Sequence, residues 1–208
     1  MEWSRRQVLR IGLATLAGGI SATTNAASEE SPLLAGLLRA HERKMNEDAR
    51  YTVFAQKADE EKYSQVAALF RAAAASAKVN MRSQASLIKE LGGTPKSDAA
   101  RPDVASTKDN LAVALKDESY EVETTYPELI KAAQDGNMGL AERILTYTKS
   151  AITEHVKLYR NALDHLEQRE EGGKVFYVCP ECGIIALQIA TEVCPICRTP
   201  KAMFERIG

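Results

Sequence analysis

Four cysteines carry the clearest chemistry in this 208-residue chain, and all lie within its last thirty residues. They form two matched knuckles, Cys179-Pro180-Glu181-Cys182-Gly183 and Cys194-Pro195-Ile196-Cys197. Two Cys-x-x-Cys pairs can bring four thiolates to one tetrahedral point, a donor set suited to zinc or to a single iron. Pro180 and Pro195 stiffen the knuckles, and Gly183 permits a turn that a β-carbon would crowd. Two disulfides or a redox dithiol are the competing readings. The doubled spacing favours one shared ion but does not choose between zinc and iron.

The elements needed to position these groups are mostly helical. Ser31-Pro32 combines a capping residue with proline at the first helical position. Leu34, Leu38, His41, Met45, Asp48 and Thr52 follow at helical spacing. A second stripe runs Val66, Phe70, Ala73, Ala77, Asn80, Gln84 and Leu87, to a stop at Gly92-Gly93-Thr94-Pro95. A long connection over 94–105 leads to a third stripe, Leu111, Leu115, Glu118, Val122, Thr125 and Leu129, which ends near Asp135-Gly136. The fourth is Leu140, Ile144, Tyr147, Ala151, His155, Leu158, Ala162 and His165, with its stop expected at Gly172-Gly173. Four amphipathic helices with short, long and short connections predict a ferritin-like four-helix bundle over 27–172. His41 and His165 read as ordinary polar residues near helix ends, and Tyr51, Phe54 and Phe70 as core.

From residue 173 the character changes. Val175-Phe176-Tyr177-Val178 is β-prone, and the cysteine knuckles follow. A tail spanning 173–208 is too small to bury a stabilising core alone, and a metal is the natural substitute. The predicted class is thus mainly α, a bundle followed by a small metal-binding β domain.

Residues 1–26 read as an address. Ser4-Arg5-Arg6-Gln7-Val8-Leu9-Arg10 has the twin-arginine pattern, followed by a weakly apolar run from Ile11 to Ile20. Thr24-Asn25-Ala26 makes a cleavage site before Ala27. The apolar run is too short for a stable membrane anchor, which needs about 20 residues. The expected location is the periplasm. Twin-arginine export of folded protein would let the thiols take their metal in the reducing cytoplasm first.

Composition narrows the partners. A formal net charge of −1 excludes bulk attraction to nucleic acid. Aromatic residues make up 6% of the chain and alanine is abundant in its middle, which argues against an all-β sandwich.

Over roughly 37–208 the chain resembles rubrerythrin, a ferritin-like di-iron domain joined to a rubredoxin-like domain. The carriers are Ala49-Arg50-Tyr51-Thr52-Val53-Phe54-Ala55, then Glu118-x-x-Glu121 with Tyr126-Pro127, then the two cysteine knuckles and the ending Pro200-Lys201-Ala202-Met203-Phe204-Glu205. The resemblance implies iron in the four-sulfur site, with zinc as the alternative. It also implies a homodimer with each four-sulfur centre near the partner's bundle.

The sequence departs from the family where the two bundle irons would bind. Lys44 holds the first-helix glutamate position, Ala77 and Asn80 the second-helix Glu-x-x-His positions, and Ile152 the fourth-helix glutamate. Glu118, Glu121 and His155 remain, either as buried polar remnants with hydrogen-bond partners or as a reduced mononuclear site helped by Asp48 or Glu47, and no complete di-iron site is expected. Lys44 becomes the candidate metal-replacing cation, pairing with Glu118 or Glu121 while His155 and Asn80 supply hydrogen bonds. The leading expectation is an exported one-electron carrier serving an unknown redox partner protein. A peroxide reductase with an altered metal site and a zinc-stapled binding module are the alternatives, and no catalytic residue is assigned.

Overall fold

The computed structural model describes residues 31–168 and 174–208. The export signal read over 1–26 lies outside the described residues.

Helix α1 (Pro32–Glu60) starts where the capping signal places it, with the Leu34 amide donating to Ser31 Oγ at 3.2 Å. It ends at Lys62, whose φ of 63° turns the chain into α2 (Ser64–Glu90). The alanines of α2 let the two helices pack closely along their length, and Gly92, at φ 79°, stops the second. After the long connection, Ser106 caps α3 (Thr107–Tyr120) by accepting from the Asp109 amide at 3.2 Å.

The third stripe is not one uninterrupted α-helix. A π-helical turn, Glu121–Thr125, separates α3 from α4 (Tyr126–Asp135). Pro127 supplies no N–H and its ring crowds the carbonyl four residues back, and a wider turn just before it relieves both defects. The fourth helix, α5 (Gly139–Asp164), ends earlier than the glycine pair at 172–173 suggested. The chain leaves the helix there because Leu166 folds back into the core, where it is 7% exposed.

Two apolar clusters divide the bundle. One holds Tyr51, Phe54, Phe70, Leu111 and Tyr159, and the other holds Leu37, Leu87, Tyr126, Leu145 and Ile152. The rings of the first cluster meet at centroid separations of 5.4 to 6.4 Å, contacts worth about 0.5–1.5 kcal/mol each beyond simple burial. Between the two clusters lies a layer of buried polar side chains from α1, α3 and α5, with Glu121 of the π-helical turn.

The tail forms an antiparallel sheet in the order β2-β1-β3, from β1 (Phe176–Val178), β2 (Ile185–Ala186) and β3 (Glu205–Ile207). Tyr177 faces Ala186 on one side and Arg206 on the other. The tail packs on α2 and α5 of its own chain. Small residues explain the fit, because the Cys182–Gly183 knuckle settles against Ser76 and Asn80. No helix among the described residues is long and apolar enough to cross a membrane.

Candidate metal centre and the buried charge layer

The four cysteines converge. Cys179 Sγ lies 3.5 Å from Cys197 Sγ, and Cys182 Sγ lies 3.6 Å from Cys194 Sγ. All four sulfurs are within 4.8 Å of one another, and none is in a disulfide. The knuckles are built alike. Gly183 N–H donates to the Cys179 carbonyl at 3.0 Å, and Arg198 N–H donates to the Cys194 carbonyl at 3.1 Å. Gly183 and Arg198 both adopt left-handed backbone, at φ 77° and 68°. Sequence reading anticipated the glycine but not the arginine in the equivalent role.

The sulfurs sit in a cage of donors. A hydrogen bond with the Cys182 thiol, then the amides of Cys182 and Glu181, pulls Cys179 down to about 4. Cys182 moves up, because it shares its proton with Cys179 and is buried. Burial also raises Cys197, although Thr199 donates to its sulfur. Crowded thiols that share protons in this way are the donor set a thiophilic cation takes over by displacing those protons. Cys179, Cys182 and Cys194 are buried and Cys197 is partly exposed, so one edge of the centre faces outward.

Within the bundle, the polar layer gathers Lys44, Glu47, Glu118, Glu121 and His155, each at most 2% exposed. Lys44 Nζ donates to Glu121 Oε2 at 2.5 Å and to Glu47 Oε2 at 2.7 Å. Burial disfavours the ammonium, but the carboxyl groups of Glu121 and Glu47 set against it outweigh burial and hold the amine protonated. One cation cannot neutralise two ionised carboxylates. Burial, then the charge of Glu47, pushes Glu121 up to about 8, so Glu121 keeps its proton near neutrality.

Glu118 has different partners. The hydroxyls of Tyr51 and Tyr159 both donate to its Oε1 at 3.0 Å, and His155 Nδ1 lies 3.1 Å from its Oε2. Burial raises this carboxyl, but His155, Lys44 and Tyr159 outweigh it and draw it below the ordinary value. His155 Nε2 lies 3.0 Å from the Gly183 carbonyl oxygen. Both ring nitrogens therefore face oxygen acceptors. The Gly183 carbonyl can only accept, so Nε2 donates to it. Lys44 thus pairs with Glu47, His155 links Glu118 to the tail, and Glu121 keeps its proton.

Of the positions singled out beforehand, the structure brings Lys44, Glu118, Glu121 and His155 together. Asp48 stays outside, 3.4 Å from Lys78 at the surface side of α1. Asn80 bonds neither carboxylate in the layer and instead borders Gly183, where an added β-carbon would lie 3.2 Å from Asn80 Oδ1. His41 is not near a helix end. It is buried inside α1, and that burial lowers its pKa. His165 does sit at the exposed end of α5. Ala77 and Ile152 are buried and offer no ligand atom. Sequence reasoning did not place Tyr159 at Glu118, nor the Gln84–Tyr126 hydrogen bond at 3.1 Å. The first was findable, because Tyr159 is four residues from His155 on the same helix face.

A sequence model described as Rubrerythrin matches residues 37–163. Nigerythrin of Nitratidesulfovibrio vulgaris is 34% identical over 157 residues, covering 75% of this chain and 77% of that protein. Rubrerythrin-2 of Clostridium acetobutylicum is 31% identical over 160 residues, covering 75% and 86%. Among solved structures, fully reduced, all-ferrous nigerythrin superposes with a TM-score of 0.78 at 30% identity, covering 99% of this chain and 100% of that one. Desulfovibrio desulfuricans bacterioferritin matches with a TM-score of 0.62 at 18% identity, over 67% and 82%, and shares the fold alone.

Proposed function

The chain belongs to the rubrerythrin family of iron-binding redox proteins, and from that premise we propose that it is an exported one-electron carrier whose working metal is held by the four cysteines alone. One observation carries this reading. The Lys44 ammonium sits between Glu47 and Glu121, where the family would gather carboxylates around metal, while the four thiols of the tail converge.

Cys179, Cys182, Cys194 and Cys197 would hold one iron, which when bound supplies a ferric/ferrous couple of one electron. The amides of Glu181, Cys182, Ile184 and Thr199 donate toward the sulfurs and stabilise their negative charge. Burial of three cysteines excludes water, and the exposed edge at Cys197 gives a redox partner a short approach. In the bundle, Ala77, Asn80 and Ile152 remove three family ligand positions, and Lys44 supplies in one ammonium a charge that metal would otherwise provide. The same positions disfavour peroxide reduction at a bundle di-iron centre. Export through the twin-arginine pattern at Ser4–Arg10, with a periplasmic destination, is part of the proposal, as is a homodimer in solution.

Metal analysis and a visible spectrum of protein prepared without added zinc test this reading. One iron per chain with a red ferric tetrathiolate spectrum is the expected result. Three irons per chain would favour the peroxide reductase, and colourless zinc protein would favour a non-redox module.

A further inference from the structure

One peptide group joins the charge layer to the four-sulfur centre. The Gly183 carbonyl accepts from His155 Nε2 at 3.0 Å. The N–H of that same peptide, belonging to Ile184, donates to the sulfur of Cys182. The other ring nitrogen of His155 is held by Glu118, which Tyr51 and Tyr159 fix in turn. Gly183 sits tightly against α2: its φ is 77°, and an added β-carbon would come within 2.7 Å of Ser76 Oγ.

We propose that His155 is a positioning residue that sets the reduction potential of the four-cysteine centre, acting through the 183–184 peptide on the sulfur of Cys182. This rests on the proposed iron-carrier function. A donor on a carbonyl polarises the peptide and strengthens its N–H as a donor, by about 10–30% per bond. On gaining one electron from a donor, an iron tetrathiolate goes from a net charge of about −1 to about −2, much of it on sulfur. A stronger N–H···S bond therefore stabilises the reduced form more than the oxidised form, and the potential rises. A histidine that merely filled space or anchored the tail would leave the potential unchanged as long as the metal stayed bound.

The test uses the full chain with one iron bound, titrated electrochemically while the ferric absorbance is followed. His155→Phe keeps the ring volume and removes both donors. It should lower the ferrous-to-ferric equilibrium constant about tenfold, or about 59 mV for one electron. His155→Gln, which keeps an N–H within reach of the carbonyl, should recover part of the shift. Glu118→Gln leaves the ring in place but removes the carboxylate that orients it. It should shift the potential in the same direction by less, and it serves if His155→Phe does not fold. A second readout needs no iron. In the zinc-loaded protein the Ile184 amide proton should move upfield in His155→Phe, as its bond to sulfur weakens. An unchanged potential in folded, iron-loaded variants would overturn the inference, and so would an unmoved Ile184 amide. If the cysteines take up no iron at all, the proposed function fails, and the zinc-protein amide shift still decides the role of His155.

Discussion

The Lys44 ammonium lies 2.5 Å from Glu121 Oε2, a contact between residues 77 positions apart, inside a bundle where neither side chain reaches solvent. A buried ammonium so placed is held by its partners and holds them in turn. Lys44→Ala should cost the bundle about 3–5 kcal/mol in urea unfolding, the usual consequence of leaving a buried charge unpaired. The combination Lys44→Met with Glu47→Gln removes both members of an ion pair and should recover most of that loss. Recovery no better than additive would show that the two side chains act independently.

The same layer predicts an unusual pH response. Glu121 goes from an ordinary value of 4.5 to about 8 in the folded chain. Between those values the folded protein keeps a proton that the unfolded chain releases, so stability falls as pH rises through that window. The decline attributable to this group is on the order of a few kcal/mol. Glu121→Gln should flatten it. Urea midpoints at pH 5.5 and 8.5 for the two proteins measure the difference, and parallel declines would rule out Glu121 as the source.

Glu118 behaves in the opposite sense. Its carboxyl is held below the ordinary value, so the stability it contributes is present at neutral pH and lost on acidification. Two of its bonds come from tyrosine hydroxyls at 3.0 Å. Tyr51→Phe and Tyr159→Phe should each cost about 1.5–3 kcal/mol, the range for a hydrogen bond to a charged group. A cost below about half a kcal/mol in both would mean that these hydroxyls contribute little to holding Glu118.

Gly183 is the point where the tail meets the bundle. Gly183→Ala combines a left-handed φ of 77° with a β-carbon 2.7 Å from Ser76 Oγ. It should lift the knuckle off α2 and raise amide exchange across residues 176–186 while α1 and α5 remain protected. Protection unchanged throughout the tail would show that the knuckle has freedom the structure does not suggest.

Replacing any one of the four cysteines by serine should abolish the tetrathiolate spectrum and loosen the tail. The helical circular dichroism of the bundle should stay within a few per cent of the parent, because its two apolar clusters contain none of these residues. Loss of helical signal together with the metal would mean that the tail is needed to fold the bundle.

Local spacing determined a large part of this protein. The two Cys-x-x-Cys knuckles announce a shared ion because ligand geometry is written within four residues, and helical periodicity with Ser31-Pro32 and Gly92-Gly93 marks the first two helices. The absence of acids and histidines between Glu61 and Glu90 is likewise plain in the sequence, as is the lysine at position 44. Tertiary structure decided how those residues are used. A π-helical turn interrupts the third stripe at Glu121–Thr125, and Glu121 rather than Glu118 bonds Lys44. Glu47 joins the same ammonium because it is one helical turn away and equally buried, and Tyr51 and Tyr159 arrive at Glu118 from separate helices. The bond from His155 to Gly183 depends on the tail docking against α2 and α5, which small side chains permit and no local pattern specifies. Each of these is a question of which distant groups share one desolvated space. Charges there must pair or take up protons, and the partners available depend on the packing of the whole chain.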